Sequence, residues 1–140
     1  MAITRVFERL YLSDVHDADR LSVYNPLAIT AVVNVSMETN QHRRDEIKYV
    51  HFPWDESERI PPRRFEQVIA AITQIVRTGN VLVHCVAGSS RSPVIVALYM
   101  QVVGYKNFDD AIAELRDLRS VVAPSKLVIE SAKAYLEEIR

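Results

Sequence analysis

The chain has 140 residues, 49% hydrophobic and 25% charged, with a formal net charge of −1 and one cysteine. That length suits one domain over residues 1–140, which can bury roughly 70% of its unfolded surface. A lone cysteine excludes an internal disulfide framework and a cysteine-clustered metal site, and the near-neutral charge speaks against gripping nucleic acid or an anionic membrane.

The opening Met1-Ala2-Ile3-Thr4-Arg5 lacks the apolar stretch of a secretory signal. Val6 to Leu12 alternates and is rich in β-formers, which predicts a strand or hairpin. Asp17 to Val23 reads as a short helix ended by Asn25-Pro26. Ile29 to Val35 is almost continuously apolar, as in a strand covered on both faces, and Ile47 to Phe52 is a shorter strand halted by Pro53. Between Arg63 and Arg77, Phe65, Val68, Ile69, Ile72, Ile75 and Val76 recur at helical spacing, after Pro61-Pro62 and before Gly79-Asn80. Val81 to His84 is a short apolar strand, followed by a polar turn from Cys85 to Ser92. An apolar helix then runs from Pro93 to about Val103, stopped by Gly104; its longest apolar run, Val94 to Met100, is far short of the ~20 residues that span a bilayer. Asn107 caps a helix over Asp109 to Arg119, and Pro124 opens a last one with Val128, Ala132, Tyr135 and Ile139 on one face.

Strands alternating with helices predict an α/β fold: a mostly parallel, mixed sheet of four to five strands flanked by helices. Ligands of such sheets bind beyond the carboxyl ends of the strands, here near Ser36, Asp55 and Cys85. A soluble, cytoplasmic protein with neither nucleic acid nor membrane as partner is the expectation.

The stretch from Val81 to Pro93 carries the chemistry. A strand enters a turn of small residues that leads into a helix N-terminus, so the turn's N–H groups can form an anion-binding concavity. Glycine is scarce, three residues where average usage of roughly 7% would give about ten. Gly88 supplies backbone freedom at mid-loop, while Val86, Ala87, Ser89 and Ser90 complete the cradle. Arg91 stands where its planar fork can take two oxygens of a phosphate. A cysteine at the base of this nest has a lowered pKa, and a thiolate beside an anion-sized cradle describes a nucleophile that attacks phosphorus. A buried Cys85 acting only as a small hydrophobe is the plain alternative.

His84-Cys85-x5-Arg91-Ser92 resembles the signature loop of cysteine-dependent protein phosphatases, and specifically the dual-specificity class. Leu10-Tyr11-Leu12 with Asp17-Ala18, Val33-Asn34-Val35-Ser36, and Arg119-Ser120-x3-Pro124-Ser125 resemble further landmarks of that class. The resemblance implies a protein tyrosine phosphatase-like fold, a phosphocysteine intermediate, a phosphate or sulfate ion in the loop, and no metal or other cofactor. It also implies a general acid at Asp55, directly after the strand-ending Pro53-Trp54, with Glu56 and Glu58 as competitors. Tyrosine-specific relatives carry Trp-Pro-Asp where this chain has Pro-Trp-Asp, which leaves open whether the loop closes like a lid or stays fixed.

Ser92 is read both as the N-cap before Pro93 and, from the resemblance, as a hydrogen-bond donor to the cysteine sulfur. His84 resembles the histidine that orients the loop and tunes the thiol, whereas His16, His42 and His51 show no ligand spacing. Ser125 stands where many relatives carry asparagine, which weakens the support that segment gives the loop.

The loop holds no lysine, unlike relatives acting on polyphosphorylated inositides, so a single phosphate group is expected. No tyrosine-bearing loop deepens the pocket, which suits phosphotyrosine and also phosphoserine or phosphothreonine in proteins. Arg43-Arg44 and Arg59 with Arg63-Arg64 either recruit acidic substrates or are solvated ends of elements. A rhodanese-type sulfurtransferase, a phosphatase of phosphoinositides or phosphoglucans, and a non-catalytic phosphate-binding module are the competing readings.

Overall fold

A computed structural model of the chain describes residues 3–140. The alternating N-terminal stretch folds as a hairpin, β1 (Thr4–Phe7) and β2 (Leu10–Ser13), whose turn holds Glu8 at φ 52°. Helix α1 (Val15–Arg20) follows, then β3 (Ile29–Asn34), β4 (Lys48–His51), α2 (Pro62–Ile75), β5 (Asn80–His84), α3 (Arg91–Val102), α4 (Phe108–Leu118) and α5 (Lys126–Glu138). The five strands form one sheet in the order β1-β2-β5-β3-β4, antiparallel between β1 and β2 and parallel elsewhere. The expected mixed α/β sheet is therefore present.

β5 lies at the centre, hydrogen-bonded to β2 and β3, so the loop leaving its carboxyl end is flanked by the ends of both neighbours. Pleating divides its side chains: Val81 and Val83 join the main core with Val33, Phe65, Ile72 and α3, whereas Leu82 packs with Val32, Leu21 and Ala18 on the opposite face. Both faces are covered, as the apolar strands require, but unequally, with only α1 among the helices contributing to the second cluster. Helix α3 is buried at every residue from Arg91 to Met100, which explains its lack of a polar stripe. Gly79 allows β3 to approach, since a β-carbon there would collide with the Thr30 side chain.

Several boundaries differ from the sequence reading. α1 starts before Asp17 because Asp14 caps it, accepting from Asp17 N–H at 2.8 Å. α3 starts at Arg91 rather than Pro93, which places Ser92 inside the first turn, so Ser92 is not the N-cap; that position belongs to Ser90. Ser125, not Pro124, begins the last helix, its hydroxyl accepting from Val128 N–H, and Ile139 falls beyond the helix and is half exposed. The cap of α4 is Asn107 as expected, accepting from Asp110 N–H at 2.9 Å.

Candidate active site

The turn between β5 and α3 is shaped by where its carbonyls go. Val86 O accepts from Val15 N–H at 2.9 Å, and Ser89 O accepts from Ala123 N–H at 2.8 Å. The Arg119 guanidinium donates to Gly88 O at 3.1 Å and Ala87 O at 3.3 Å. With consecutive carbonyls turned outward onto protein donors, the N–H groups of the same peptides face inward; that of Gly88, and the N–H of Ser92 in the first turn of α3, act on the Cys85 sulfur. Gly88 is needed twice over. Its φ is +67°, and a β-carbon there would meet Ser13 O at 2.6 Å and Arg119 Nη2 at 2.8 Å.

Cys85 lies at the base of this cradle, 2% exposed. Burial pushes its thiol up, but the Ser92 hydroxyl, the two N–H groups and the Arg91 charge outweigh that and hold it below its usual range. Ser92 Oγ stands 3.1 Å from the sulfur, so its hydroxyl serves the thiol rather than the helix end. Of the two roles read for Ser92, one geometry survives. The capping residue Ser90 makes no side-chain cap either: its Oγ accepts from Ser125 N–H at 3.0 Å. Ser125 thus supports the loop through its backbone, which its side-chain identity does not affect.

Arg91 is 8% exposed and fixed by one bond, Nη1 to the Trp54 carbonyl at 2.8 Å, while its buried Nε has no hydrogen-bond partner among the described residues. An N–H of a rigid guanidinium is thereby left to donate to an oxyanion in the cradle. The same bond ties down the segment that carries Asp55. Trp54 is buried edge-on against Phe65, with ring centroids 5.1 Å apart, and Arg64 donates to the Pro53 carbonyl. The Pro-Trp-Asp segment is therefore docked against the cradle.

Asp55 itself faces solvent more than its neighbour Trp54 does. Its Oδ1 accepts from Ser57 Oγ at 2.7 Å and Ser57 N–H at 2.9 Å, and these bonds, with a smaller pull from Arg91, hold the carboxyl below its usual range. Glu56 and Glu58 are exposed. His84 is buried and donates from Nδ1 to the Cys85 carbonyl at 2.8 Å; burial holds its imidazole below the usual range.

The basic clusters are largely engaged with their own chain. Arg43 stacks on the Tyr49 ring at 4.6 Å, Arg44 bonds Glu46 and the Leu21 carbonyl, and Arg59 lies 3.4 Å from Glu130. His51 bonds the Ser36 carbonyl at 2.7 Å, whereas His16 and His42 are exposed. Among the described residues no group of three or more histidine, cysteine or acidic side chains could hold a metal, and no helix is long and apolar enough to cross a membrane. The sequence reading quoted Arg119 only as a landmark and missed its role as a carbonyl clamp. The signal available was a basic residue at a helix end, which is too common to single out.

A mixed-sheet α/β domain with a cysteine cradle at the end of its central strand defines a class, the cysteine-loop phosphatases. Residues 10–135 match the family described as "Dual specificity phosphatase, catalytic domain", and the chain belongs to that family. It is 32% identical over 132 residues to dual specificity protein phosphatase 5 of Rattus norvegicus, covering 93% of this chain and 34% of the relative. It is 30% identical over 118 residues to dual specificity protein phosphatase 1 of Homo sapiens, covering 83% and 32%. The chain thus spans about a third of the length of these relatives. Among solved structures it superposes on a mouse protein described as a dual specificity phosphatase, crystallised with zinc tungstate, with TM-score 0.84 and 25% identity over 98% of this chain and 87% of that one.

Proposed function

We propose that this chain is a single catalytic domain, residues 1–140, that hydrolyses phosphomonoesters of proteins through a phosphocysteine intermediate. The observation that carries this reading is the buried Cys85 thiol, held below its usual range within reach of Ser92 and the inward N–H groups of its loop.

In the first step the Cys85 thiolate attacks phosphorus in line with the leaving oxygen. The S–P bond forms as the P–O bond breaks, and the equatorial oxygens are held by the loop N–H groups of Val86 to Arg91 and by the Arg91 guanidinium. Asp55 gives its proton to the leaving alkoxide or phenolate. A water then attacks the phosphocysteine, losing its proton to Asp55 while the S–P bond breaks. The Ser92 hydroxyl donates to the departing sulfur, and inorganic phosphate leaves. For the first step Asp55 has to be protonated, so the negative charge of a bound phosphoester must offset the Ser57 bonds that keep it ionised.

The absence of lysine between Cys85 and Arg91 favours one phosphate group over polyphosphorylated inositides. Phosphotyrosine, together with phosphoserine and phosphothreonine, is the proposed substrate set, and phosphate or sulfate the ion the cradle takes. A reducing cytoplasmic compartment suits a thiolate enzyme. Family membership together with Asp55 and Ser92 disfavours a sulfurtransferase. The deciding experiment is phosphate release from phosphopeptides, phosphoinositides and phosphoglucans by the wild type and Cys85→Ser. The variant is expected to fold, bind phosphopeptide and release nothing; turnover near wild type would remove the mechanism, and release from lipid or glucan alone would move the substrate class.

A further inference from the structure

We propose that Asn40 is a positioning residue that locks His84 in its neutral Nδ1–H tautomer and thereby orients the Cys85 carbonyl; this rests on Cys85 being the nucleophile. Asn34, Ser36, Asn40 and His84 are all buried, and they form a continuous chain of hydrogen bonds from the end of β3 to the end of β5.

The direction of every bond in that chain is dictated by backbone groups at its two ends. Ser36 N–H donates to one side-chain atom of Asn34 at 2.9 Å, so that atom is the oxygen. Asn34 Nδ2 donates to the Glu38 carbonyl at 2.7 Å, and its remaining hydrogen faces Asn40 at 3.3 Å. Asn40 must therefore present Oδ1 to Asn34 and Nδ2 to His84, where the separation from Nε2 is 2.9 Å. An amide nitrogen only donates, so Nε2 carries a lone pair. From the other end, Nδ1 lies 2.8 Å from the Cys85 carbonyl, which only accepts, so Nδ1 carries the hydrogen. Two independent anchors assign the same tautomer.

Protonating Nε2 would set N–H against N–H inside the core. Asp14 and Asp19, at the cap and on α1, favour the charged ring, His51 on β4 opposes it, and the Arg91 charge acts on the neighbouring thiol. The ring's hydrogen bonds go instead to Asn40 and the Cys85 carbonyl. His84 consequently neither takes the thiol proton nor lends it a positive charge. Its work is to hold the first peptide of the cradle, and Asn40 makes that hold directional. Asn40 sits between β3 and β4 outside any regular element, where no periodicity marks it.

The test is imidazole nitrogen NMR on the full chain, with kinetics on an aryl phosphate. Wild-type His84 is expected to be neutral and Nδ1-protonated near pH 7. Asn40→Asp, whose carboxylate can only accept from Nε2, should turn it into an imidazolium near pH 7. Asn40→Ala should lower kcat about tenfold, the lower end of what losing a histidine's orienting partner costs in metal sites, with KM changed less than about twofold. A wild-type Nε2–H tautomer, an imidazolium in the wild type near pH 7, an unchanged ring charge in Asn40→Asp, or an unchanged kcat in Asn40→Ala overturns the proposal. If the variants do not fold, the wild-type spectrum alone decides. The tautomer is read without turnover, so a chain that shows the expected ring but releases no phosphate refutes the phosphatase reading and not the bonding of Asn40.

Discussion

Two loops meet over the candidate site, and they are built on opposite principles. In residues 85–91 the carbonyls of Val86 to Ser89 are taken by Val15, Arg119 and Ala123, while the buried Cys85 sulfur is approached by the Gly88 N–H and, just beyond, by Ser92. The Asp55 segment is docked through Trp54 and Pro53, yet its carboxylate is engaged by its own neighbour, Ser57. On the proposed mechanism the contrast means that the nucleophile is preorganised before substrate arrives, whereas the acid has to be switched by the substrate's charge. Preorganised dipoles cost no reorganisation at the moment of reaction, but an acid that is ionised at rest must gain a proton first.

The strongest break of the comparison is Arg91→Lys. Lysine's three donors sit on a single nitrogen and cannot span the Trp54 carbonyl and a phosphate oxygen as the planar guanidinium fork does, so this one change loosens both loops. A fall of about a thousandfold in kcat/KM is expected in steady-state assays on phosphopeptides. Next comes Asp55→Ala, expected to cost about a hundredfold or more on alkyl phosphates and little on aryl phosphates with good leaving groups. Equal losses across a leaving-group series would assign the proton to another residue.

On the cradle side, Arg119→Ala leaves the carbonyls of Ala87 and Gly88 without their charged donor. Denaturant unfolding should show a loss of about 1–3 kcal/mol, and kcat should fall by about tenfold as the N–H groups lose their aim. The smallest effect belongs to Ser57→Ala. Removing the hydroxyl that lowers the Asp55 carboxyl lets its pKa rise, so the acid stays protonated to higher pH. The alkaline limb of the kcat–pH profile should then move upward while the acidic limb, set by the Cys85 thiolate, stays in place. A shift of the acidic limb instead would mean that Ser57 acts on the cradle and not on the acid.

Much of this architecture was legible in the sequence because its signals are local. The apolar run of β3, the spacing of Phe65, Val68, Ile69 and Ile72, and Asn107 before α4 each report on their own segment. The cysteine, Gly88 and Arg91 were legible for the same reason, since one turn of chain holds all three. Ser92 was half legible. Pro93 suggested a helix start two residues later than the chain takes, and the difference moves the serine hydroxyl from a capping role onto sulfur.

The sequence by itself determined the order of strands and helices, the anion cradle and its nucleophile, because side-chain period and turn chemistry act over a few residues. Tertiary structure alone decided which way the cradle's peptides face, which ring nitrogen of His84 faces Asn40, and that Trp54 is docked on Arg91. The physical reason is that hydrogen bonds select partners by position in space. Arg119 is 31 residues from Gly88, and Asn40 is 44 from His84, so nothing in the local pattern announces either pair.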